Sequence, residues 1–282
     1  MKMSECFFSM PRFVHLCRKE MVENWKKLVL RLVMIYGVMT ISFLWFCSCE
    51  YNGDPASSYW KDRLADPFFD FGASMFYVYW LAFGALSASL FMEGMKSKTG
   101  RTRLLLTPCT TFEKFFVRWV IYIPAFLVAY LILFRLADWT RLLVMKPFFP
   151  WAGQIAPVSF PAVLGFTVDI SRRLEWLNLL MMLGGYFFMQ SFFVLGSVLW
   201  PRRSFVKTFA ALILLGLVVT MVVAWACGAF IPDDGSVPDS YFANWSEAGV
   251  KLLASFLLSC ATLFNWALAY FRFRESEIIN RW

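Results

Sequence analysis

Six apolar stretches, each long enough to cross a bilayer as a single helix, constrain this chain more than any other feature. A hydrocarbon core about 30 Å thick takes roughly 20 helical residues to cross. The runs Leu28 to Cys47, Ala73 to Met92, Phe116 to Leu136, Leu177 to Trp200, Phe205 to Ile231 and Ala248 to Phe271 all meet that length. None shows the two-residue alternation of a barrel strand, whereas a helix satisfies its own backbone polar groups in lipid. Composition agrees, because 60% hydrophobic, 20% aromatic and 16% charged residues do not suit a soluble domain. The expected fold class is all-α, a polytopic membrane protein with six transmembrane helices.

Charge asymmetry sets the expected orientation. With the N-terminus inside, 19 of the 27 Lys and Arg fall on the cytoplasmic side, while 12 of the 19 acidic residues fall on the other. The positive-inside rule then places both termini in the cytoplasm. The net charge of +8 follows from this asymmetry and from anionic headgroups, so it does not argue for nucleic acid, and no nucleic-acid motif accompanies it. The loop from 137 to 176 resists the pattern, since Arg141, Lys146, Arg172 and Arg173 lie on the expected outer side. Pro147, Pro150, Pro157 and Pro161 forbid one uninterrupted helix there, so an interfacial or partly re-entrant external loop is expected. A seven-span alternative would leave Arg202, Arg203 and Lys207 on the wrong side.

The expected organisation is therefore a cytoplasmic tail over 1–27, a membrane domain over 28–272 and a second tail over 273–282. Phe13, Val14, Leu16, Cys17, Met21 and Trp25 alternate with charged residues ahead of the first span, a spacing that suits an amphipathic helix lying in the interface. The apolar run begins only after Lys26 and Lys27, and no small-x-small cleavage site follows it, so the first span is expected to stay in the mature protein.

Catalytic chemistry has little to stand on. The single histidine, His15, lies in the N-terminal tail, and the seven cysteines are scattered without metal-ligand spacing, so free thiols and no metal site are expected. There is no Gly-x-Ser-x-Gly elbow, and no acid falls inside the six spans as drawn, which removes the usual sign of a proton relay. Ser87, Ser89, Gln190, Ser191 and Asn265 are expected to bond between helices. Gly94 to Gly100 followed by Arg101 misses the phosphate-loop spacing and lacks its lysine. No catalytic residue and no cofactor are assigned to this chain.

What remains is the basic segment from 93 to 118, between the second and third spans. Thr107 before Pro108 can cap a helix, and Thr110 with Glu113 fits a capping box. Either start predicts a short helix at the cytoplasmic surface. Leu104, Leu105, Leu106 and Phe112 would offer apolar contacts there, rimmed by Arg101, Arg103, Glu113 and Lys114, which is the composition of a docking surface.

Glu93-Gly94, then Leu104-Leu-Leu-Thr-Pro108 with Glu113 several positions on, resembles the cytoplasmic coupling segment in permease subunits of type-2 ABC exporters. The plan of six spans, cytoplasmic termini and an amphipathic helix before the first span is similar too. The resemblance in plan covers nearly the whole chain and the motif about a tenth of it. It departs from the family in the more basic stretch from Lys96 to Arg103 and in the long loop after the third span. The resemblance implies a half-transporter in a bacterial cytoplasmic (inner) membrane, paired with a second permease copy or paralogue and surrounded by membrane lipids. It implies a separate ABC ATP-binding subunit that carries the ATP and docks on Arg103, Leu104, Leu105, Leu106, Thr107, Pro108, Phe112, Glu113 and Lys114. The chain itself would not be an enzyme. A different class of function fits the same basic loop: a non-transport membrane scaffold or assembly protein with no ATPase partner.

Overall fold

The computed structural model describes residues 8–51, 66, 68–149, 155–163, 172–230 and 247–278. Along the chain, α1 is Met10–Glu50, α2 Phe68–Ser89, α3 Lys98–Leu105, α4 Thr111–Tyr122, α5 Pro124–Phe148, α6 Phe160–Val163, α7 Arg172–Leu199, α8 Ser204–Phe230 and α9 Glu247–Ile278. A 3-10 turn, Glu93–Met95, joins α2 to α3. Among the described residues there is no strand. Six helical segments are long and apolar enough to cross a membrane: α1, α2 with its 3-10 turn, α4 together with α5, α7, α8 and α9. The chain is an integral membrane protein of the all-α class.

It divides into two compact units, Met1–Ser87 with Pro108–Val168 and Ala88–Thr107 with Asp169–Trp282. In the first unit, α1 is one unbroken helix of 41 residues, about 60 Å long. The interfacial lead-in expected over the N-terminal residues is thus the beginning of the first span's own helix. Nothing in the sequence stops it at Lys27, because between Pro11 and Gly37 there is neither proline nor glycine to break the backbone pattern. Ring contacts pair Phe13 with Phe116, Phe43 with Phe134 and Tyr51 with Phe149, so α1 runs in the same direction as α4 and α5. By contrast α2 runs opposite to α5, with Phe76 against Phe134 and Ser87 at Tyr122. That is the up-down-up order that three successive crossings require.

The third span bends where its sequence says it should. Pro124 has no N–H to donate, and the helix divides at Ile123, whose ψ of -79° departs from the regular value. The Tyr122 carbonyl at the break accepts a hydrogen bond of 2.8 Å from Ser87 Oγ on α2. A neutral hydroxyl inside a span therefore satisfies the backbone that proline disturbs. Below the bend the core is aromatic: Phe76 meets Phe134 edge-on at 5.0 Å between centroids, and Phe43 meets Phe68 at 5.1 Å.

After the third span, the segment expected to be an external loop starts as helix, since α5 continues to Phe148 with Pro147 in its last turn. A proline near a helix C-terminus can keep the helical φ, and its effect on the ladder reaches only residues behind it. Pro150 lies outside the described residues. Ile155 and Val158 are buried, and Phe160 packs against Phe76 and Phe134. Tyr77 donates its hydroxyl to the Val163 carbonyl, tying α6 to α2.

The second unit contains α3, α7, α8 and α9. Contacts of Gly184 with Leu258, Phe187 with Trp266 and Ser191 with Asn265 advance together along α7 and α9, so these two helices are parallel. The Asn265 amide donates to Ser191 Oγ at 2.9 Å, an interhelical bond of the kind the sequence suggested. Gln190 instead bonds along its own helix, donating to the Tyr186 hydroxyl at 2.9 Å. A tight turn at Pro201 to Arg203 returns the chain as α8, with Arg203 in the left-handed region at φ 56°. Gly196 lets α8 approach closely: a Cβ there would fall 1.9 Å from Thr208 Oγ1. Farther along, Leu214, Val218, Met221, Val222 and Trp225 are all exposed, as befits a helix hydrophobic on every side and bathed in lipid.

Candidate docking segment and a buried ion cluster

The segment from 93 to 118 contributes to both units, with the division falling between Thr107 and Pro108. In the second unit it forms α3, a short helix upstream of the two starts the sequence offered. Ser97 caps it, accepting from the Gly100 N–H at 3.0 Å. Arg103 is exposed and Leu104 half-buried, whereas Leu106 is 77% exposed. The Leu105 side chain lies outside the described residues. Thr107 starts no helix. It closes α3 instead, its hydroxyl donating to the Arg103 carbonyl at 2.9 Å.

In the first unit the capping box forms as its spacing predicts. Thr110 Oγ1 accepts from the Glu113 N–H at 3.2 Å, and Glu113 Oε2 accepts from the Thr110 N–H at 3.1 Å. The helix it starts is α4, the entry to the third span, rather than a separate surface helix. Glu113 does more than cap its own helix. Its Oε1 accepts from the Ser9 N–H at 2.8 Å and lies 3.4 Å from the Arg12 guanidinium, so the same carboxylate ties the start of α1 to the start of α4. It is fully buried, and Lys114 is only 6% exposed. Glu113 and Lys114, expected on the rim of a docking surface, are thus interior residues that brace it. A second pair, Arg118 with Glu20 at 3.6 Å, repeats the brace about two turns along.

Phe112 is half-buried in an aromatic group. It stacks on Phe116 at 5.6 Å and meets Phe8 edge-on at 6.3 Å, and Phe13 approaches Phe116 at 5.3 Å. Pro108 is exposed beside half-buried Cys109. On this unit the outward-facing part of the expected site is therefore Pro108, Cys109 and the free edge of Phe112.

The strongest polar constellation of the first unit was not anticipated. Arg141 on α5 is wholly buried. Its Nε donates to Asp138 Oδ1 at 3.0 Å, its Nη1 to Asp66 Oδ2 at 3.1 Å and its Nη2 to the Ala156 carbonyl at 2.7 Å. The Phe68 ring lies under the guanidinium at 3.9 Å to the centroid. Asp138 Oδ2 accepts from the Val158 N–H at 2.9 Å, and Arg135 approaches it at 3.8 Å while donating to the Val158 carbonyl. Tyr51, just past the end of α1, donates to Asp66 Oδ1. Burial, and then this bond, push the Tyr51 phenol above its ordinary range, so it remains a donor at any physiological pH.

Two arginines and two aspartates thus balance, and the carboxylate oxygens are taken up by N–H and O–H donors. Such a cluster fastens the end of α1, the approach to α2 and residues 155–158 onto α5. It offers neither a nucleophile nor a base to a substrate. The signal was present in the sequence as Asp138-x-x-Arg141, an i,i+3 pair in an apolar neighbourhood, but it was assigned to a loop. Among the described residues no group of three or more His, Cys, Asp or Glu could hold a metal ion. No protein-family model matches the chain, nor does any curated protein or solved structure.

Proposed function

We propose that this chain is the permease subunit of an ATP-driven exporter of the type-2 ABC kind, with both termini in the cytoplasm of a bacterial inner membrane. A separate ATP-binding subunit docks on residues 103–114, and a second permease copy or paralogue completes the transporter. The observation that carries this reading is the braced start of the third span. Closing nucleotide sites must push on something stiff, and the Thr110–Glu113 capping box is locked to α1 through Ser9 and Arg12. A load applied at Phe112 or Pro108 would pass directly into two spans instead of being lost in a loop. Leu106, exposed to 77%, adds an apolar contact on the other unit.

In this reading Leu106 and Phe112 touch the partner, Arg103 and Pro108 flank them, and Glu113 and Lys114 position the surface from within. The test is copurification of an ATP-binding protein with the full chain from its native membrane. Leu106→Asp and Phe112→Asp are each expected to abolish recovery while the permease still inserts and purifies. Recovery unchanged by both substitutions would overturn the proposal, and absence of any ATP-binding partner from the unaltered chain would favour a scaffold.

A further inference from the structure

Between Glu93 and Glu113 the chain has no acidic residue, yet it carries Lys96, Lys98, Arg101 and Arg103. Four cations so close repel one another unless an anion lies nearby. They are not strung on a loose loop. Ser97 caps α3, and the helix is folded tightly against the turn that ends the second span: a Cβ on Gly100 would fall 2.1 Å from the Gly94 carbonyl oxygen. The 3-10 turn at Glu93–Met95, with Met95 buried, completes that elbow. Glycine at 100 therefore allows a backbone approach that holds the basic helix within a few residues of Met92, where the second apolar run stops.

We propose that α3 is a binding site for anionic phospholipid headgroups, with Lys96, Lys98 and Arg101 contacting the phosphates. Lys98 is exposed, and Lys96 and Arg101 are half-buried, so each presents charge while its stem lies along the protein. Lys98 and Arg101 stand three residues apart and share one face of the helix. At its far end, Leu106 is 77% exposed beside Arg103, an arrangement that lets an apolar side chain enter the interface below the charges. A lipid is favoured over an acidic protein because the Gly94–Gly100 elbow keeps the cations at the end of a membrane span. Headgroups are present there at high local concentration whether or not any protein arrives. This proposal rests on the membrane-spanning character of α2 and not on the ATPase, whose docking is carried by Leu106 and Phe112.

The experiment is native mass spectrometry of the purified full-length protein, titrated with phosphatidylglycerol and, separately, phosphatidylcholine. The unaltered chain is expected to prefer phosphatidylglycerol, with a preference that weakens as ionic strength rises. The variant K96Q/K98Q/R101Q should lose preference by about fivefold for each cation removed. Gly100→Ala, which keeps every charge but forces the elbow open, should lower the preference too. As a control, R202Q/K207Q removes cations elsewhere and should bind like the unaltered chain. An unchanged phosphatidylglycerol preference in K96Q/K98Q/R101Q would overturn the proposal. So would an equal loss in R202Q/K207Q, because the effect would then be net charge and not a site. Loss of a copurifying acidic protein from K96Q/K98Q/R101Q, with lipid preference intact, would assign the helix to that protein instead.

Discussion

Arg141 shows how a single side chain can mislead a charge count. As a cation on the side expected to be poor in cations, it weakened the topology read from sequence. In the fold it is wholly buried, with Asp138 at 2.9 Å and Asp66 at 3.1 Å. Its charge is spent inside the protein, so it adds nothing to the flanking balance that the positive-inside rule weighs. Burying such a pair is costly, but removing one partner is costlier, because the other charges remain buried without compensation. Arg141→Met is therefore expected to destabilise the fold by about 3–5 kcal/mol, read as the midpoint of unfolding in mixed detergent. Arg141→Lys should recover little, since an ammonium cannot reach Asp138, Asp66 and the Ala156 carbonyl with one fixed fork. A variant as stable as the unaltered protein would mean that the cluster is not the clasp described.

At the scale of elements, the close contacts between helices depend on small residues and hydroxyls. Gly196 and Thr208 bring α7 and α8 together at a separation that no Cβ tolerates, with a threonine side chain too stiff to swing away. Gly196→Ala should cost about 1–3 kcal/mol through overpacking, and Thr208→Ala in the same chain should return part of it. The readout is again detergent unfolding, and an additive rather than compensating double variant would show that the two positions do not press on each other. The bend at Pro124 follows the same economy of small polar groups, because Ser87 supplies the hydrogen bond at the break. Capping was the most legible element signal, since Thr110 and Glu113 occupy the positions their spacing predicted. Less legible was the partner of Glu113. Its bond to Ser9 joins residues 104 apart in sequence, and no local pattern encodes a contact of that range.

For the whole molecule, the six membrane-length helices and the parallel course of α1 with α4 and α5 fit strict alternation of successive spans. Side-specific thiol labelling tests the orientation directly. In single-cysteine versions, a membrane-impermeant maleimide should modify exposed Cys49 from outside the cell and half-buried Cys109 only from the cytoplasmic face. Cys47, two residues from Cys49, is fully buried and should stay unmodified from either side. Labelling of Cys109 from outside would reverse the orientation and remove the docking segment from the cytoplasm.

Apolar run length and charge distribution, which are local or summed properties, were enough to determine a six-span helical membrane protein and a basic, capped segment between the second and third spans. The tertiary structure decided which residues of that segment face outward. It turned Glu113 and Lys114 into buried braces and Thr107 into a helix end, and it left Leu106 exposed. It also converted a proline-rich loop into a continuation of α5 anchored by Arg141. Burial and ion pairing depend on which distant segments meet. A sequence states the charge of a side chain, but only the packed fold states whether water, lipid or another charge surrounds it.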